Sequence, residues 1–199
     1  MASGNAFLKR LRDGDPLAFA QLVEENQSRI YNLALKMLND PQEAEDVLQE
    51  TFLSALKALP DFEGRSSLST WLYRIASNAS LMRLRKKQPD TVSVDEPLTL
   101  DDGESVPRQL ADWSNLPEDE LLSSETRQMM DEAISELPES LRIVFILRDI
   151  EGLSTADTGE VLDLSEGAVK TRLHRARLWL RERLSAYFAE RAGSKYQTA

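Results

Sequence analysis

Apolar residues recur every three to four positions along most of this chain, the spacing that places side chains on one face of an α-helix. In the first half they predict three helices, over 15–38, 41–59 and 68–87. The first helix is predicted to begin at Asp15-Pro16, because a capping residue followed by proline favours a helix start. Asn39-Asp40-Pro41 separates the first two helices, and Pro60 ends the second. The pattern therefore predicts a compact helical domain over residues 1–88.

A second group of helices follows a stretch that lacks this periodicity. Residues 89–117 contain four prolines, which predicts a linker. Beyond the linker, a second domain over 118–191 is predicted to contain helices over 118–136 and 139–149, a short helix ending at Leu162, and a last helix from Ser165. Residues 192–199 are expected to form a flexible tail. The predicted fold class is all-α, with two small helical domains joined by a linker.

The segment Ser165 to Arg183 combines an apolar stripe with clustered basic side chains. Val169, Leu173 and Leu180 fall on the stripe, and six Lys or Arg against two Glu surround it. A short helix and the tight turn at Asp163 precede the segment, the order typical of a helix-turn-helix whose second helix enters the DNA major groove. A solvated charged face is the alternative interpretation.

Charge is segregated along the chain, which has a formal net charge of -10. Residues 89–118 carry one basic and eight acidic groups, whereas residues 165–199 carry eight basic and three acidic groups. The linker is therefore acidic. An acidic protein is disfavoured as a DNA binder that acts unaided, because phosphate neutralisation drives such binding.

The composition excludes several kinds of chemistry. There is no cysteine, so disulfides and thiolate metal sites are excluded, and the single His174 cannot form a metal cluster by itself. No run of eighteen apolar residues is present, so no membrane insertion is predicted. The N-terminus lacks an apolar segment of signal-peptide length. We expect a cytoplasmic protein with no cofactor, no metal and no catalytic residue.

Three blocks of sequence resemble a known family. They are AEDVLQETF (44–52), FEGRSSLSTWLYRIASN (62–78), and LPESLRIVF (137–145) continuing to SEGAVKTRLHRAR (165–177). In this order and spacing they resemble the extracytoplasmic-function (ECF) sigma factors, the group 4 sigma-70 proteins that give bacterial RNA polymerase its promoter specificity. The resemblance covers most of both predicted domains.

The resemblance implies roles for the first domain, which corresponds to sigma-2. The resemblance implies that its second helix binds a coiled coil on the polymerase β′ subunit, through Asp46, Gln49, Glu50 and Phe52. A solvated acidic helix face is the alternative for the first three, and Phe52 can equally be a core residue. The loop and third helix grip the melted −10 element, through Phe62, Gly64, Arg65, Ser66, Arg74, Asn78, Arg83, Arg85 and Lys86. Trp71 is expected to be a core residue more than a stacking platform. The last basic residues of the third helix have an alternative, purely structural role, because positive charges near the C-terminus of a helix interact favourably with the helix dipole.

The second domain corresponds to sigma-4, which reads the duplex −35 element. The implied contacts come from Ser165, Glu166, Gly167, Ala168, Lys170, Thr171, Arg172, His174, Arg175 and Arg177. Two departures from the family pattern stand out: Thr158-Gly159 replaces the usual Ile-Ala pair, and Met82 replaces a frequent Asp. Glycine costs about 1 kcal/mol relative to alanine inside a helix, so the helix that contains Gly159 is expected either to be weak or to be held by its neighbours.

The implied function is promoter-specific initiation of transcription, with no reaction catalysed by the chain itself. The implied partners are core RNA polymerase, through its β′ coiled coil and β flap, promoter DNA, and an anti-sigma factor. Two alternatives remain: a sigma-like decoy that binds an anti-sigma factor without promoter activity, and a helix-turn-helix repressor. The repressor would leave the first domain unexplained.

Overall fold

The computed structural model describes residues 2–87 and 124–195, and the regular elements within them are helical. The α-helices are α1 Ala2–Arg12, α2 Pro16–Leu38, α3 Pro41–Ala58, α4 Leu68–Lys87, α5 Ser124–Glu136, α6 Glu139–Phe145, α7 Thr155–Leu162 and α8 Glu166–Lys195. The all-α prediction is confirmed. The linker 89–117 and the predicted helix start at 118 lie outside the described residues. Within these two ranges, no helix is both long and apolar enough to cross a bilayer.

Helix α1 was not predicted from the sequence. It packs on the domain through Leu11, which is only 3% exposed. A turn at Gly14, with a φ of 77°, then leads into Asp15. The Asp15 carboxylate accepts hydrogen bonds from the Leu17 amide at 2.9 Å and from Arg10 Nε at 2.7 Å. Asp15 therefore begins α2 as predicted and also holds the end of α1 beside it.

Helices α2, α3 and α4 surround one core. Asn39, in the left-handed conformation with φ 51°, ends α2, and the Asp40 carboxylate caps α3. These short, capped connections bring the apolar stripes of the three helices together. Their most deeply buried large side chains are Leu22, Ile30, Leu33, Met37, Val47 and Leu72.

The second half contains the predicted helix-turn-helix. Helix α6 continues into a π-helical turn, Ile146–Ile150. Ser154 then caps α7 by accepting a 3.0 Å hydrogen bond from the Asp157 amide, as the capping pattern indicates. The stripe of α8 is buried, with Val169 and Ala176 at 0% exposure. Helix α8 extends to Lys195, so the first four residues of the predicted tail are helical.

The two halves of the chain share a continuous apolar core. Ile146, Leu147 and Val169 belong to the same cluster as the core side chains of α2, α3 and α4. Polar links cross the junction as well. Tyr73 Oη donates a 2.6 Å hydrogen bond to the Glu151 carboxylate, and Arg142 Nη1 donates a 2.7 Å hydrogen bond to the Met37 carbonyl. Lys36 pairs with Asp131 at 2.7 Å.

Candidate polymerase and DNA interfaces

The outward side of α3 carries five exposed residues that we call the α3 face: Asp46, Gln49, Glu50, Leu53 and Leu56. The last two are apolar yet 58% and 48% exposed. The sequence pointed to the first three as polymerase contacts but missed the two leucines. Their seven-residue spacing from Asp46 and Gln49 was the available signal, because positions seven apart share a helix face.

Phe52 does not lie on the α3 face. Its side chain is 8% exposed, and its ring packs edge-on against Phe19 with centroids 6.4 Å apart. The expectation that Phe52 faces a partner is therefore corrected in favour of its alternative, a core residue. Its aromatic contact joins α3 to α2 and fixes the orientation of the outward side of α3.

Arg83 of α4 lies against the rim of the α3 face. Its Nη1 donates a 2.8 Å hydrogen bond to Glu43, and its Nη2 donates a 2.9 Å bond to Glu50. Lys87 Nζ lies 3.1 Å from the other oxygen of Glu43. The Arg83 hydrogen bond, followed by that of Lys87, lowers the pKa of Glu43. Arg83, implied as a DNA contact by the family pattern, is thus occupied by carboxylates in this structure.

The loop after α3 forms one wall of a cleft. A 3₁₀ turn, Leu59–Asp61, leads into Phe62, whose buried ring packs on Trp71 with centroids 4.7 Å apart. Gly64 then adopts a φ of 77°, a conformation that side chains disfavour. At the end of the loop, the Ser67 hydroxyl accepts a 3.0 Å hydrogen bond from the Thr70 amide and caps α4.

The cleft beside this loop, here called the loop cleft, has a volume of about 690 Å³. Among the residues that line it are Gly64, Arg65, Ser66 and Arg74, together with the rings of Phe62 and Trp71. Glu160 and Val161 of α7 form part of its lining. Five residues of the −10 set, Phe62, Gly64, Arg65, Ser66 and Arg74, are therefore brought together. Trp71 is partly exposed here, so it is both a packing residue and part of the cleft wall.

The other predicted −10 residues lie further along α4. Asn78, Arg85 and Lys86 are exposed, and they do not line the loop cleft. Lys86 instead lines a second, smaller groove between α3 and α4 together with Arg83, Glu43 and Glu50. The predicted −10 set is thus divided between the loop cleft and the basic end of α4.

The N-terminal half of α8 presents the predicted −35 set to solvent. Ser165 caps the helix, accepting a 3.2 Å hydrogen bond from the Ala168 amide. Glu166, Gly167, Lys170 and His174 are exposed. Ala168, Thr171, Arg172 and Arg175 are partly exposed, whereas Val169 and Leu173 between them are buried. The helix therefore exposes polar side chains along the side opposite its apolar stripe.

Arg177, the last residue of the −35 set, is already paired. Its Nε and Nη2 form a bidentate ion pair with the Asp149 carboxylate, at 2.8 and 2.7 Å. The hydrogen bonds that Arg177 donates to the Asp149 carboxylate raise the pKa of Arg177. The pair joins α8 to the π-helical turn, so Arg177 helps to orient α8 on its own domain.

Gly159 is explained by the turn between α7 and α8. A Cβ at this position would lie 2.7 Å from the Leu164 carbonyl oxygen, closer than side chains tolerate. The Gly159 carbonyl in turn accepts a 2.9 Å hydrogen bond from the Leu164 amide. The close backbone approach thus explains why this position, which departs from the family pattern, is a glycine.

Two family models match the chain at these interfaces. Residues 22–89 match Sigma-70 region 2, and residues 127–180 match Sigma-70, region 4. The first range contains the α3 face and most of the lining of the loop cleft. The second contains α7 and the N-terminal half of α8.

Relatives extend the match to most of the chain. It is 38% identical over 177 residues to the ECF RNA polymerase sigma factor SigW of Bacillus subtilis strain 168, covering 89% of this chain and 94% of SigW. The structure of CnrH in complex with the cytosolic domain of CnrY is similar, with a TM-score of 0.66 and 25% identity over 91% of this chain and 96% of the matched chain. The sigma factor RpoE of Bartonella quintana, solved with the anti-sigma factor NepR, matches with a TM-score of 0.61 and 26% identity over 84% of this chain and 96% of the matched chain. The chain therefore belongs to the ECF sigma factors of RNA polymerase, which direct promoter-specific initiation of transcription.

Proposed function

We propose that this sigma factor works through three surfaces: the α3 face on core polymerase, the loop cleft on the melted −10 element, and the N-terminal half of α8 on the −35 element. The domains divide accordingly into sigma-2 over 1–88, an acidic linker over 89–117, and sigma-4 over 118–191. The observation that carries the proposal is the presence in one chain of three separate features: exposed leucines beside carboxylates on α3, a cleft lined by arginines and aromatic residues, and an exposed polar side of α8.

The α3 face supports polymerase binding because it combines two properties. Leu53 and Leu56 expose apolar area, which marks an interaction site when polar residues surround it. Asp46 and Glu50 supply negative charge at the rim, which steers association with a basic partner. A coiled coil of the β′ subunit is the partner that the family implies for this helix, and the β flap is the second polymerase contact.

The loop cleft supports capture of unpaired bases. Single-stranded DNA is bound by stacking surfaces together with cations that follow its backbone. Trp71 offers a ring, Arg65 and Arg74 offer guanidinium groups, and Gly64 lets the backbone approach an extruded base closely. Binding the unpaired form more tightly than the duplex shifts the equilibrium toward melted promoter.

Helix α8 supports duplex reading. A recognition helix contacts base edges with its N-terminal residues. In the N-terminal half of α8, Lys170, Thr171 and His174 are available for such contacts. Lys170 lies 3.8 Å from Glu166 in an exposed ion pair, which is weak and readily exchanged for a DNA contact. Because the chain as a whole is acidic, tethering to polymerase supplies much of the affinity as effective concentration.

The chain catalyses no reaction itself and acts in the cytoplasm, where core polymerase and promoter DNA are found. An anti-sigma factor is a further partner. The B. quintana relative was solved with an anti-sigma factor, which supports the same class of partner for this chain. The linker is acidic, and its negative charge mimics that of nucleic acid in a basic channel of the polymerase.

One assay separates this function from the alternatives. The purified full chain is added to core RNA polymerase and a promoter library, and specific run-off transcripts are measured. Specific transcripts support a sigma factor. Binding of an anti-sigma factor without transcripts supports the decoy, and binding of duplex DNA without a polymerase requirement supports the repressor. Core polymerase alone is the matched control.

A further inference from the structure

Arg12, the last residue of α1, is bonded to the loop that lines the loop cleft. Its Nε donates a 2.9 Å hydrogen bond to the Phe62 carbonyl oxygen, and its Nη2 donates to the same oxygen. The two partners are 50 residues apart in sequence. Phe62 is also the residue at which the 3₁₀ turn ends and the loop begins. The guanidinium therefore fixes the backbone at the base of the loop.

Helix α1 approaches the same loop at a second point. A Cβ on Gly64 would lie 3.3 Å from Cδ2 of Leu8, so the Leu8 side chain of α1 occupies the space beside the loop at this glycine. The ring of Phe62 packs on Trp71 of α4. The loop is consequently held by two elements, with the Phe62 carbonyl bonded to α1 and the Phe62 ring packed on α4.

We propose that Arg12 is a positioning residue for capture of the −10 element. It acts through the Phe62 carbonyl and sets where residues 63–66 stand relative to Trp71 and Arg74, without itself contacting DNA. The inference rests on the proposed function of the loop cleft. It also gives α1, which lies outside the region matched by the Sigma-70 region 2 model, a part in promoter melting.

The geometry of the arginine fork is the reason for this assignment. Two N–H groups of one planar guanidinium meet a single carbonyl oxygen, and this rigid fork restrains the peptide plane of Phe62 more than one donor would. A glycine two positions later gives the loop more conformations to choose from. A loop that must present one conformation to an extruded base gains affinity when its alternatives are removed in advance.

The test uses holoenzyme assembled from core polymerase and full-length chain. The probe is a promoter fragment selected from a randomised pool by the wild-type holoenzyme, prepared with its −10 bases single-stranded. The variants are Arg12→Ala, Arg12→Lys and Gly64→Ala. Arg10→Ala is the matched control, because it removes one positive charge from the same helix and its partner is Asp15 rather than the loop. Core affinity and urea denaturation are measured for each variant.

Arg12→Ala is expected to lower affinity for the single-stranded probe about ten-fold, the effect typical of removing a charged hydrogen bond. Core affinity should stay at the wild-type value. The salt slope of probe binding should also stay unchanged, since Arg12 meets no phosphate. Arg12→Lys should recover less than half of the lost probe affinity on a logarithmic scale. Gly64→Ala should lower probe affinity as Arg12→Ala does, because the added Cβ shifts the backbone of the loop itself.

Three outcomes would overturn the inference. One is equal probe affinity for Arg12→Ala and Arg10→Ala. Another is a salt slope reduced by about 0.7, which would indicate a direct phosphate contact. The last is an equal loss of core affinity, which would indicate a general structural role. If the wild-type holoenzyme itself selects no promoter, the proposed function fails; if it selects one and Arg12→Ala behaves as wild type, only the inference fails.

Discussion

The guanidinium of Arg83 donates a 2.9 Å hydrogen bond to the Glu50 carboxylate, 33 residues earlier in the chain. Because of this contact, the two arginines at the basic end of α4, Arg83 and Arg85, differ in their surroundings. Arg83 is one-quarter exposed and belongs to the rim of the α3 face. Arg85, two positions later, is exposed and forms no ion pair with any residue that the structure describes. The two arginines should therefore behave differently when substituted.

We expect Arg83→Gln to weaken binding to core polymerase about three-fold to ten-fold, because Glu50 loses the partner that orients it. The salt slope for −10 DNA should remain as in wild type. Arg85→Gln should do the reverse, lowering the slope by about 0.7 while core affinity is preserved. Fluorescence anisotropy with labelled core and labelled DNA measures both quantities. A reduced salt slope for Arg83→Gln would instead indicate that Arg83 contacts a DNA phosphate.

The exposed leucines give a second prediction. Replacing Leu53 by glutamine should lower core affinity about ten-fold, as expected for an apolar anchor near the centre of an interface. Since Leu53 is 58% exposed, the free energy of unfolding should change by no more than about 0.5 kcal/mol. Met130→Gln, at an exposed position of α5, is the control and should leave core affinity unchanged. Equal core affinity for both variants would remove Leu53 from the polymerase interface.

Two helical glycines are predicted to respond oppositely to alanine. At Gly159 the new Cβ would meet the Leu164 carbonyl at 2.7 Å, and overpacking costs about 1–3 kcal/mol against a gain in helix propensity of about 1 kcal/mol. Gly159→Ala should therefore lower the free energy of unfolding by up to about 2 kcal/mol. At Gly167 the nearest neighbour is 3.9 Å away, so Gly167→Ala should be neutral or stabilising. Urea denaturation compares them, and stabilisation by Gly159→Ala would contradict the close approach.

The hydrogen bond from Tyr73 to Glu151 joins the two halves of the chain and predicts a pH dependence. Tyr73 is 3% exposed, and burial, followed by the Glu151 hydrogen bond, raises the pKa of its phenol above the ordinary value. The folded state thus retains this proton more tightly than the unfolded state. The stabilisation is complete below about pH 10 and is lost as pH rises beyond it, at up to about 1.4 kcal/mol per pH unit.

Comparison of wild type with Tyr73→Phe isolates this effect. Below about pH 10 the wild type should be more stable by about 1 kcal/mol, the usual net value of such a hydrogen bond. Above that pH its advantage should shrink, because only the wild type has the phenol to titrate. Urea denaturation at several pH values measures the difference. A difference that is constant or grows from pH 9 to pH 11 would contradict the buried, bonded phenol.

The helices were predictable where a local signal marks their ends. Asp15 before Pro16, Asp40 before Pro41, and Ser154 three residues before Asp157 each act through nearby backbone amides, so the sequence alone reveals them. Helix α1 is short, and although Phe7 and Leu11 stand at helical spacing, the contacts that give it a place in the fold are with Phe62 and Gly64, about fifty residues away. Such long-range contacts are not visible in the pattern of one helix.

The candidate site also depends on contacts between distant parts of the chain, which the sequence pattern does not reveal. The family motif predicts that α3 binds polymerase, but within the motif Phe52 turns inward to Phe19, whereas the adjacent Leu53 turns outward. Adjacent positions on a helix are rotated by about 100° from each other. Which of Phe52 and Leu53 points outward therefore depends on which side of α3 packs against the core. The pairing of Arg83 with Glu43 and Glu50 likewise depends on how α3 packs against α4, which no spacing along either helix reports.

Whether the chain directs promoter-specific initiation can be measured by sequencing the 5′ ends of transcripts made by core RNA polymerase on fragmented genomic DNA, with and without the full-length chain. With the chain added, start sites should cluster downstream of one shared pair of −35 and −10 sequences. Unpaired thymines of the −10 sequence should become reactive to permanganate, and both signals should weaken in the Leu53→Gln variant. Start sites that stay scattered, as with core polymerase alone, would show that the chain does not direct initiation.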